Sequence, residues 1–332
     1  MKKWKRCVLV LGLLGLLWGC GAQKPMQYVD YSLFDTVTTI VGYGDSREEF
    51  QLQAEKICSE LQSYHRLFDI YQDYEGISNL KTINDQAGIA PVPVDSAVLE
   101  FLGDCEEYWE LTDHRFHPGM GSLLSLWHEA RQDGLRNPDR AEIPKEAVRI
   151  QAKEHMDLED MVLDLENQTV FLQDPQLKLD VGAIAKGWAA QKICEAAPPG
   201  MLISVGGSVC ATGPKPDGSP WTVGIQNPDG EGYLRTVKLK KGAIATSGDY
   251  QRYFEVEGIK YHHIIDPDTT LPSVLWRSVT VICPDAGLAD VLSTALFLLP
   301  IDQGQSLLDQ TGAEALWLDP EGNLFESPGF PK

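Results

Sequence analysis

The sequence predicts an α+β fold in which largely antiparallel sheets are flanked by helices. Two patterns lead to this prediction. From residue 201 onward, short alternating segments follow one another closely and are joined by tight turns such as Val256-Glu257-Gly258, which is typical of neighbouring antiparallel strands. In the first half of the chain, apolar residues recur instead at helical spacing, as at Ile57, Leu61 and Phe68.

The predicted elements follow these patterns along the chain. Residues 32–44 are predicted as a first strand closed by glycines. Helices are predicted at 48–68, 97–111, 122–132, 184–197 and 287–299. Further strands are predicted at 162–172 (a hairpin), 177–181, 201–205, 209–212, 221–226, 234–239, 243–246, 251–255, 260–265 and 278–282. The charged, proline-containing stretch 136–157 is predicted as a surface excursion.

The N-terminus has the pattern of an export signal. A basic start is followed by an apolar run that is too short and wrongly flanked for an ordinary spanning helix, and Leu17-Trp18-Gly19-Cys20 resembles a bacterial lipobox. Residues 1–19 are therefore predicted to be a lipoprotein signal peptide, Cys20 the lipidated residue and 20–31 a tether. An uncleaved N-terminal anchor is the alternative. One catalytic unit is predicted at 32–328.

Composition limits the partners that this chain can have. The 332 residues are 43% hydrophobic, which suits a large core, and the formal net charge is −20. A surface this acidic repels nucleic acid and anionic lipid headgroups. An anionic nucleotide would also be repelled at long range, so its site must supply local cations or a metal.

The cysteines indicate no metal site. Beyond Cys20, the cysteines are widely spaced and odd in number, and none has the spacing of a metal-binding pair. This pattern argues against a disulfide framework. The prediction is that these side chains are buried small hydrophobes.

The segment Leu179–Gln191 carries the first chemical signal. A strand is predicted to turn into a helix here, which places Gly182 and Ala183 at a helix N-terminus, where backbone N–H groups favour an anion. Asp180 and Lys186 flank this point, one suited to a polar ligand group and the other to a phosphate. A plain tight connection between strand and helix fits the same residues.

Other polar residues fall where predicted strands and helices end. The predicted turn 246–248 and the stretch 263–266 lie on neighbouring segments, and alternation sends His262 and His263 to opposite faces. Histidine suits acid–base chemistry, although a half-buried strand residue is the plainer interpretation. Residues 204–208 are a strand broken by two glycines, which fits close approach of a ligand or a β-bulge.

Asp290 and Thr294 are spaced to share one face of the last predicted helix. Oxygen ligands of this kind suit Mg²⁺, which keeps several waters and bridges to phosphates. Two alternatives remain open. Thr294 could bond to its own helix backbone, and Asp290 could simply favour the helix dipole.

These segments in their order carry a family resemblance. Phe34-Asp-Thr, DVGAIAKG, SVGGSVCATG, ATSGDYQRYF, YHHIIDP and VTVICPDAGLADVLSTALF, behind a lipobox, closely resemble the FAD:protein FMN transferases, the ApbE-type lipoproteins. The resemblance covers roughly residues 28–325 and implies an ApbE-like, T-fold-related single unit. It implies that FAD and Mg²⁺ are used to attach FMN to a threonine or serine hydroxyl of an exported protein, with release of AMP.

The resemblance also implies roles for individual residues. Asp180 and Lys186 would contact FAD, and Ala183 would offer its carbonyl to Mg²⁺ together with Asp290 and Thr294. His263 would be the base, with Asp266 as the next candidate, and the rate would rise with pH as the imidazole loses its proton. The remaining flavin contacts are implied at Phe34, Tyr71, Phe116, His117, Pro118 and Ile264.

Several positions depart from the family pattern. Phe116-His117-Pro118-Gly119 stands where Phe-Asp-Pro-Thr is usual, Gln191 where aspartate is frequent, and Thr270 where glycine is frequent. Two other functions therefore remain open, hydrolysis of FAD to FMN and AMP and flavin binding without catalysis. The expected location is the outer side of the bacterial cytoplasmic membrane, held by a lipid anchor, and the expected partner is an exported acceptor such as a subunit of a membrane redox complex.

Overall fold

The computed structural model describes residues 24–331, in which strands and helices are intermixed. The strands are β1 (Met26–Leu33), β2 (Thr36–Gly42), β3 (Val92–Pro93), β4 (Met161–Asp164), β5 (Thr169–Leu172), β6 (Leu202–Val205), β7 (Ser208–Ala211), β8 (Trp221–Gln226), β9 (Tyr233–Leu239), β10 (Gly242–Gly248), β11 (Tyr253–Val256), β12 (Ile259–His262), β13 (Ser278–Cys283), β14 (Glu314–Leu318) and β15 (Leu324–Glu326). The helices are α1 (Arg47–Phe68), α2 (Leu80–Asp85), α3 (Ser96–Leu111), α4 (Gly121–Arg136), α5 (Glu146–Lys153), α6 (Ala185–Ala196), α7 (Ala286–Phe297) and α8 (Ile301–Thr311).

Eight of these strands form one antiparallel sheet with the order β1-β2-β6-β7-β10-β13-β14-β15. The chain leaves this sheet after β2 and returns at β6. Because β6 pairs directly with β2, the long intervening segment is an insertion between two adjacent strands. Within that insertion β3, β5 and β4 form a small sheet of their own. The predicted α+β class with largely antiparallel sheets is confirmed.

The main core lies between this sheet and helices α1, α6, α7 and α8. It includes the fully buried Leu61, Ala189 and Trp317 together with inward-facing strand residues such as Ile203 and Val279. A second core packs α2, α3 and the small β3-β5-β4 sheet against α6 and α7. Helix α7 is apolar on nearly all sides, which explains its place between the two cores. Almost every residue from Ala286 to Phe297 is buried.

Two smaller cores complete the packing. The β8–β9 hairpin covers the opposite face of the large sheet, where Phe330 also packs. Helix α4 packs against the β11–β12 hairpin through Trp127, Phe254 and Ile265. Within residues 24–331, no helix combines the length and the hydropathy that crossing a bilayer requires.

The N-terminal boundary differs from the prediction. Strand β1 begins at Met26, inside the stretch predicted as a tether, and pairs with β2 through a turn at Phe34 and Asp35, which both have positive φ. The predicted single strand 32–44 is therefore half of a hairpin. The catalytic unit also reaches Phe330, beyond the predicted end at 328. The predicted signal peptide and Cys20 lie outside the described residues.

The predicted strand 177–181 is wrong, although its alternation is real. Leu177, Leu179 and Val181 are buried, but the Leu179 backbone is bound by the side chain of Asn84, with N···Oδ1 at 2.7 Å and Nδ2···O at 3.0 Å. An amide side chain can satisfy a backbone N–H and C=O as a neighbouring strand would. The segment is extended without belonging to a sheet.

Three further predictions are corrected. Residues 246–248 are not a turn, because they continue β10 and pair with β13. The stretch 136–157 is not only a surface excursion, because it contains α5, whose Arg149 is buried. The cysteines are not all free, because Cys194 of α6 and Cys210 of β7 form a disulfide. The predicted burial of Cys58, Cys105 and Cys283 as free thiols is confirmed.

Candidate active site

The carboxylate of Asp290 is the best-defined polar group where α6, α7 and β7 meet. Its Oδ2 accepts the Gly187 N–H at 2.8 Å, and its Oδ1 accepts the Ser208 hydroxyl at 2.6 Å. The side chain is buried, and burial raises its pKa, although Lys186 nearby and these two donors act in the opposite direction. A carboxylate so placed is oriented by its donors and has lone pairs left for a ligand.

Only glycine fits at position 187. A Cβ atom there would lie 2.2 Å from the Ala286 carbonyl oxygen and 2.8 Å from Asp290 Oδ2. The absence of a side chain lets the first turns of α6 and α7 touch, and this contact brings Lys186 close to Asp290. The Lys186 ammonium donates to the Gly182 carbonyl at 3.0 Å, which keeps it beside the loop that precedes α6.

That loop is built differently from the predicted anion site. Helix α6 begins at Ala185, and the Gly182 N–H is donated to Asp180 Oδ1 at 3.0 Å. The backbone N–H of Asp180 in turn bonds to the Pro118 carbonyl at 2.8 Å. Gly182 therefore fixes Asp180 and does not offer a free N–H to a phosphate, so Lys186 is the group here that suits one.

Thr294 lies one helical turn beyond Asp290 and is linked to β10. Ser247 Oγ lies 3.2 Å from Thr294 Oγ1 and 2.8 Å from Ser293 Oγ. These hydroxyl contacts place the end of β10 beside α7. The suggestion that Thr294 only bonds its own helix backbone is not supported, because its described hydroxyl contact is to Ser247.

His263 follows β12 and stands opposite Arg252 across the β11–β12 hairpin. Its backbone N–H bonds to the Arg252 carbonyl at 3.1 Å. His262 is buried and His263 exposed, so the predicted alternation of faces is confirmed. Although part of the residue is exposed, neighbouring protein atoms shield the His263 imidazole from water. This desolvation, together with the positive charges of Arg252 and Lys186, lowers the pKa of His263 to about 3. The His263 imidazole was expected to titrate near neutral pH, and its pKa lies well below that range.

His262 has a structural role that excludes it as the base. Its Nδ1 accepts the Ile264 N–H at 3.1 Å, and its Nε2 lies 2.7 Å from the Ser273 carbonyl oxygen, so both ring nitrogens are used. Burial lowers its pKa, which suits the neutral tautomer that these contacts require. Ile264 itself is buried beside it and can contact a ligand only through a small part of its surface.

Tyr71, Asp180 and Arg252 lie close enough to one another to interact electrostatically. The Tyr71 ring is 5.7 Å from that of His128, and both Asp180 and Arg252 are close enough to act electrostatically on the phenol. Burial raises the pKa of Asp180, whereas His128, Arg252 and Lys186 oppose this rise. The site thus combines two carboxylates with several cations, which suits a polyanionic ligand better than the acidic surface as a whole does.

Phe34 lies at the turn between β1 and β2. Its φ is 52°, its backbone N–H bonds to His65 Nδ1 at 3.2 Å, and its ring meets that of His65 edge-on at 5.4 Å. A non-glycine residue held at positive φ is uncommon and marks a position that its surroundings fix. The residue is only partly buried and packs against both main cores.

Phe116 and His117 have different surroundings. Phe116 is 1% exposed and packs in the second core. His117 instead lines a separate cavity of about 500 Å³ with Trp109, Arg115 and Asp268. Burial there lowers the pKa of His117 to about 4. Of this segment, the Pro118 carbonyl is the group that reaches the site, through Asp180.

Asp266 is committed to its own loop. Its Oδ1 accepts the backbone N–H groups of Asp268 at 2.7 Å and Thr269 at 3.2 Å, and Arg115 lies 3.9 Å away. A carboxylate that caps a turn in this way has little freedom to act as a base. His263 is therefore freer than Asp266 to accept a proton from a ligand.

Four polar side chains of the site were missed by the sequence analysis as individual residues: Ser208, Ser247, Arg252 and His128. Ser208 and Ser247 fall in stretches that the sequence did single out. Arg252 forms no ion pair or side-chain hydrogen bond within residues 24–331, and an unpaired guanidinium beside His263 is a signal that only the fold provides.

Whether a magnesium ion would fit depends on the oxygen atoms that the site offers as ligands. Within the described part of the chain, no three His, Cys, Asp or Glu side chains are arranged to hold a metal. A divalent ion here would therefore have Asp290 as its charged protein ligand, completed by neutral oxygens such as Thr294 Oγ1 and the Ala183 carbonyl. Mg²⁺ accepts such a set, because it usually keeps waters and uses only one or two carboxylates.

Fold and site together define an α+β protein in which a buried carboxylate, a neutral histidine and the cations Lys186 and Arg252 lie close together. The ApbE family model matches residues 34–317. The FAD:protein FMN transferase of Treponema pallidum is 30% identical, over 98% of this chain and 94% of its own length. That of Klebsiella pneumoniae is 31% identical, over 74% of this chain and 78% of its own.

Solved structures agree with these sequence matches. The ApbE protein of Thermotoga maritima superposes with a TM-score of 0.83 at 31% identity, covering 92% of this chain and 98% of that one. The flavin transferase ApbE of Vibrio cholerae, at 22% identity and a TM-score of 0.76, covers 93% and 98% and shares the fold. The chain belongs to the ApbE family, and the family prediction is confirmed.

Proposed function

We propose that this protein transfers FMN from FAD to a threonine or serine hydroxyl of an exported acceptor protein, releases AMP and depends on Mg²⁺. The observation that carries this proposal is the cluster of Asp290, Lys186 and His263, supported by relatives named for FMN transfer. The hydroxyl oxygen would bond to the phosphorus of the FMN moiety. The bond from that phosphorus to the AMP oxygen would break, and the hydroxyl proton would pass to His263.

Each residue has a physical task in this scheme. Bound magnesium would neutralise charge on the pyrophosphate, and Asp290, Thr294 and Ala183 would hold it. Lys186 and Arg252 would contribute positive charge at the phosphates, since positioning and electrostatic stabilisation are most of what phosphoryl transfer needs from a protein. These local cations also overcome the long-range repulsion of an anionic ligand, because charges at contact outweigh a screened distant field.

His263 suits the role of base because its imidazole is already neutral. Burial of the imidazole, and after it the charges of Arg252 and Lys186, oppose protonation before the hydroxyl arrives, so no proton has to be lost first. A base with a low pKa is intrinsically weak, so the hydroxyl must be activated largely by its electrostatic surroundings. Phe34, Tyr71 and Ile264 would line the flavin, and the Pro118 carbonyl would fix Asp180.

One experiment separates the proposed function from its rivals. The purified domain is incubated with FAD, Mg²⁺ and a candidate acceptor, and mass spectrometry measures FMN on the acceptor and AMP in solution. Modified acceptor supports transfer. AMP and FMN without modified acceptor would mean FAD hydrolysis, and bound but unchanged FAD would mean a flavin-binding protein.

We further propose that Cys20 is lipidated and that the enzyme faces outward from the bacterial cytoplasmic membrane. A dually acylated anchor gives lasting attachment where one chain would be marginal. This location would raise the local concentration of the enzyme near membrane-bound acceptors, such as a redox-complex subunit. Cys20→Ser should release or mislocalise the protein in fractionated cells while leaving the purified domain active on a soluble acceptor.

A further inference from the structure

The backbone of Thr270 adopts a conformation that β-branched residues avoid. Its φ is 60°, in the left-handed region, and the residue is 4% exposed. Such a residue is a conformational outlier that persists only where its surroundings hold it. Glycine adopts the same φ at no steric cost. This chain therefore needs another means of holding the turn.

Arg149 of α5 supplies contacts that hold it. Its Nη1 donates to the Thr270 carbonyl oxygen at 3.2 Å and to Thr270 Oγ1 at 2.8 Å, and its Nε donates to the Pro144 carbonyl at 3.1 Å. The indole Nε1 of Trp127 donates to the same Thr270 carbonyl at 3.1 Å. These contacts fix both the backbone and the side chain of Thr270.

The burial of Arg149 is unusual in itself. The residue is 7% exposed, and within residues 24–331 it forms no ion pair with a carboxylate. Burying a guanidinium without a counter-ion is unfavourable unless its hydrogen bonds are satisfied. The guanidinium of Arg149 donates to three oxygens, and two of them belong to Thr270. Thr270 therefore accounts for most of the contacts that hold the Arg149 side chain in place.

The turn held by Arg149 closes the hairpin that begins directly after His263. Residues 264–273 form this hairpin, in which the Thr270 N–H bonds to the Asp266 carbonyl at 2.8 Å and the Ser273 N–H bonds to the Ile264 carbonyl at 3.1 Å. A change of φ at Thr270 would break the turn and shift the strand that leads back to His263.

We propose that Arg149 is a positioning residue for His263, because it holds Thr270 in the left-handed conformation and thereby fixes the 264–273 hairpin. The proposal rests on the proposed function only for the role of His263. The coupling between Arg149 and Thr270 is a property of the fold. It predicts that a glycine at position 270 makes the arginine dispensable.

The test is a double-mutant cycle of Arg149→Met and Thr270→Gly. Arg149→Met should lower kcat for FMN transfer by about tenfold or more, since small misplacements of a catalytic group are costly, while KM for FAD changes by less than about twofold. Thr270→Gly alone should stay near the unmutated rate. In the double variant Thr270→Gly should restore kcat to within about twofold of the unmutated rate, because glycine holds this φ unaided.

Lys153→Met is the matched control. Lys153 lies on the same helix and donates to the Asp268 carbonyl of the same hairpin at 2.8 Å without touching Thr270. Its loss should leave kcat within about twofold, and Thr270→Gly should not alter that result. If Lys153→Met behaves like Arg149→Met, general weakening of the hairpin explains the effect and the proposal is overturned.

Two readouts keep the test independent of turnover. The midpoint of thermal unfolding, or the yield of folded protein if Arg149→Met does not fold, should recover in the double variant. The rate at which diethyl pyrocarbonate modifies His263, followed by peptide mass spectrometry, should change in Arg149→Met and return in the double variant. If neither measurement recovers in the double variant, the proposal is overturned. An unmutated protein that transfers no FMN overturns the proposed function alone.

Discussion

Ser208 donates its hydroxyl hydrogen to Asp290 Oδ1 at 2.6 Å, so β7 fixes one oxygen of a carboxylate that belongs to α7. The Gly187 N–H fixes the other oxygen from α6. Three elements that are distant in sequence therefore orient one buried charge, and none of them needs a ligand to do so. Preorganised groups of this kind avoid reorganisation when charge develops during a reaction.

Asp290→Asn should keep the fold and lose the activity. The amide can accept from the Gly187 N–H and donate to Ser208 Oγ, so stability should fall by no more than about 1 kcal/mol. Because the proposed charged ligand of magnesium would be lost, transfer should drop by about a hundredfold or more. Thermal unfolding and FMN transfer across a magnesium titration measure the two effects. Full activity of the variant at low magnesium would contradict the assignment.

His263→Ala should bind FAD but slow transfer by about a hundredfold or more. In the unmutated protein the lowered pKa, about 3, predicts that imidazole titration leaves kcat unchanged from pH 8 down to about pH 5. A pH–rate profile at saturating magnesium checks this expectation. An acid limb near pH 6.5 that disappears in His263→Ala would show that the histidine titrates normally and that its cationic neighbours do not act as described.

Arg252→Met should weaken FAD binding without changing the fold. The guanidinium has no protein partner within residues 24–331, so no hydrogen bond is lost from the described structure. Its removal should raise KM for FAD by about tenfold, corresponding to one charge-assisted contact. It should also let the pKa of His263 rise, because one of the charges opposing protonation is gone. Arg140→Met, at a surface turn, is the control, and equal KM values for the two variants would exclude a role for Arg252.

His117 should make the fold sensitive to acid. Burial lowers its folded-state pKa to about 4 from an ordinary 6.5, so its contribution to stability is complete above about pH 6.5 and is lost as pH falls towards 4. The loss should reach roughly 2 kcal/mol at pH 4.5. Urea unfolding at pH 7.5 and 4.5 should give a smaller decline for His117→Phe. Parallel declines for the two proteins would exclude His117 as a cause.

The Cys194–Cys210 disulfide should contribute measurably to stability. It links α6 to β7 across a sequence separation of 16, and closing a loop of this size stabilises by about 3 kcal/mol in the chain-entropy description. Dithiothreitol should therefore lower the unfolding midpoint of the unmutated protein. The double variant Cys194→Ala/Cys210→Ala should not respond to the reductant, and an equal response of both proteins would contradict the prediction.

The sequence predicted the regular elements better than it predicted their partners. Alternation and helical spacing are local signals, so α1, α3, α6 and most strands of the large sheet were found near their true positions. The stretch 177–181 alternates just as a strand does, but it forms only a single bridge with Met120 and binds the side chain of Asn84, and no local signal distinguishes this case from a strand within a sheet. Likewise, nothing near Cys194 indicates that Cys210 lies opposite.

The candidate site shows the same difference between residues with a local sequence signal and residues placed only by the fold. Asp290, Thr294, Lys186 and His263 could be proposed from the sequence because each belongs to a segment with a recognisable pattern. Arg252 and His128 have no such pattern, and only the β11–β12 register and the packing of α4 place them beside the cleft. The flavin contact of His117 stays a prediction, and the structure adds that this residue lines a cavity with Trp109 and Asp268.

The pairing of β2 with β6 has a consequence for how the chain acquires its structure. During synthesis the β1–β2 hairpin emerges early, but its hydrogen-bonding neighbour follows only after the whole insertion with its own small sheet. Until then the outer edge of β2 is open to pairing with other chains. Long-range strand pairing of this kind slows folding and lengthens exposure to aggregation. Rapid formation of the insertion would shorten this interval, so destabilising changes there should reduce the yield of folded protein before they alter the cleft.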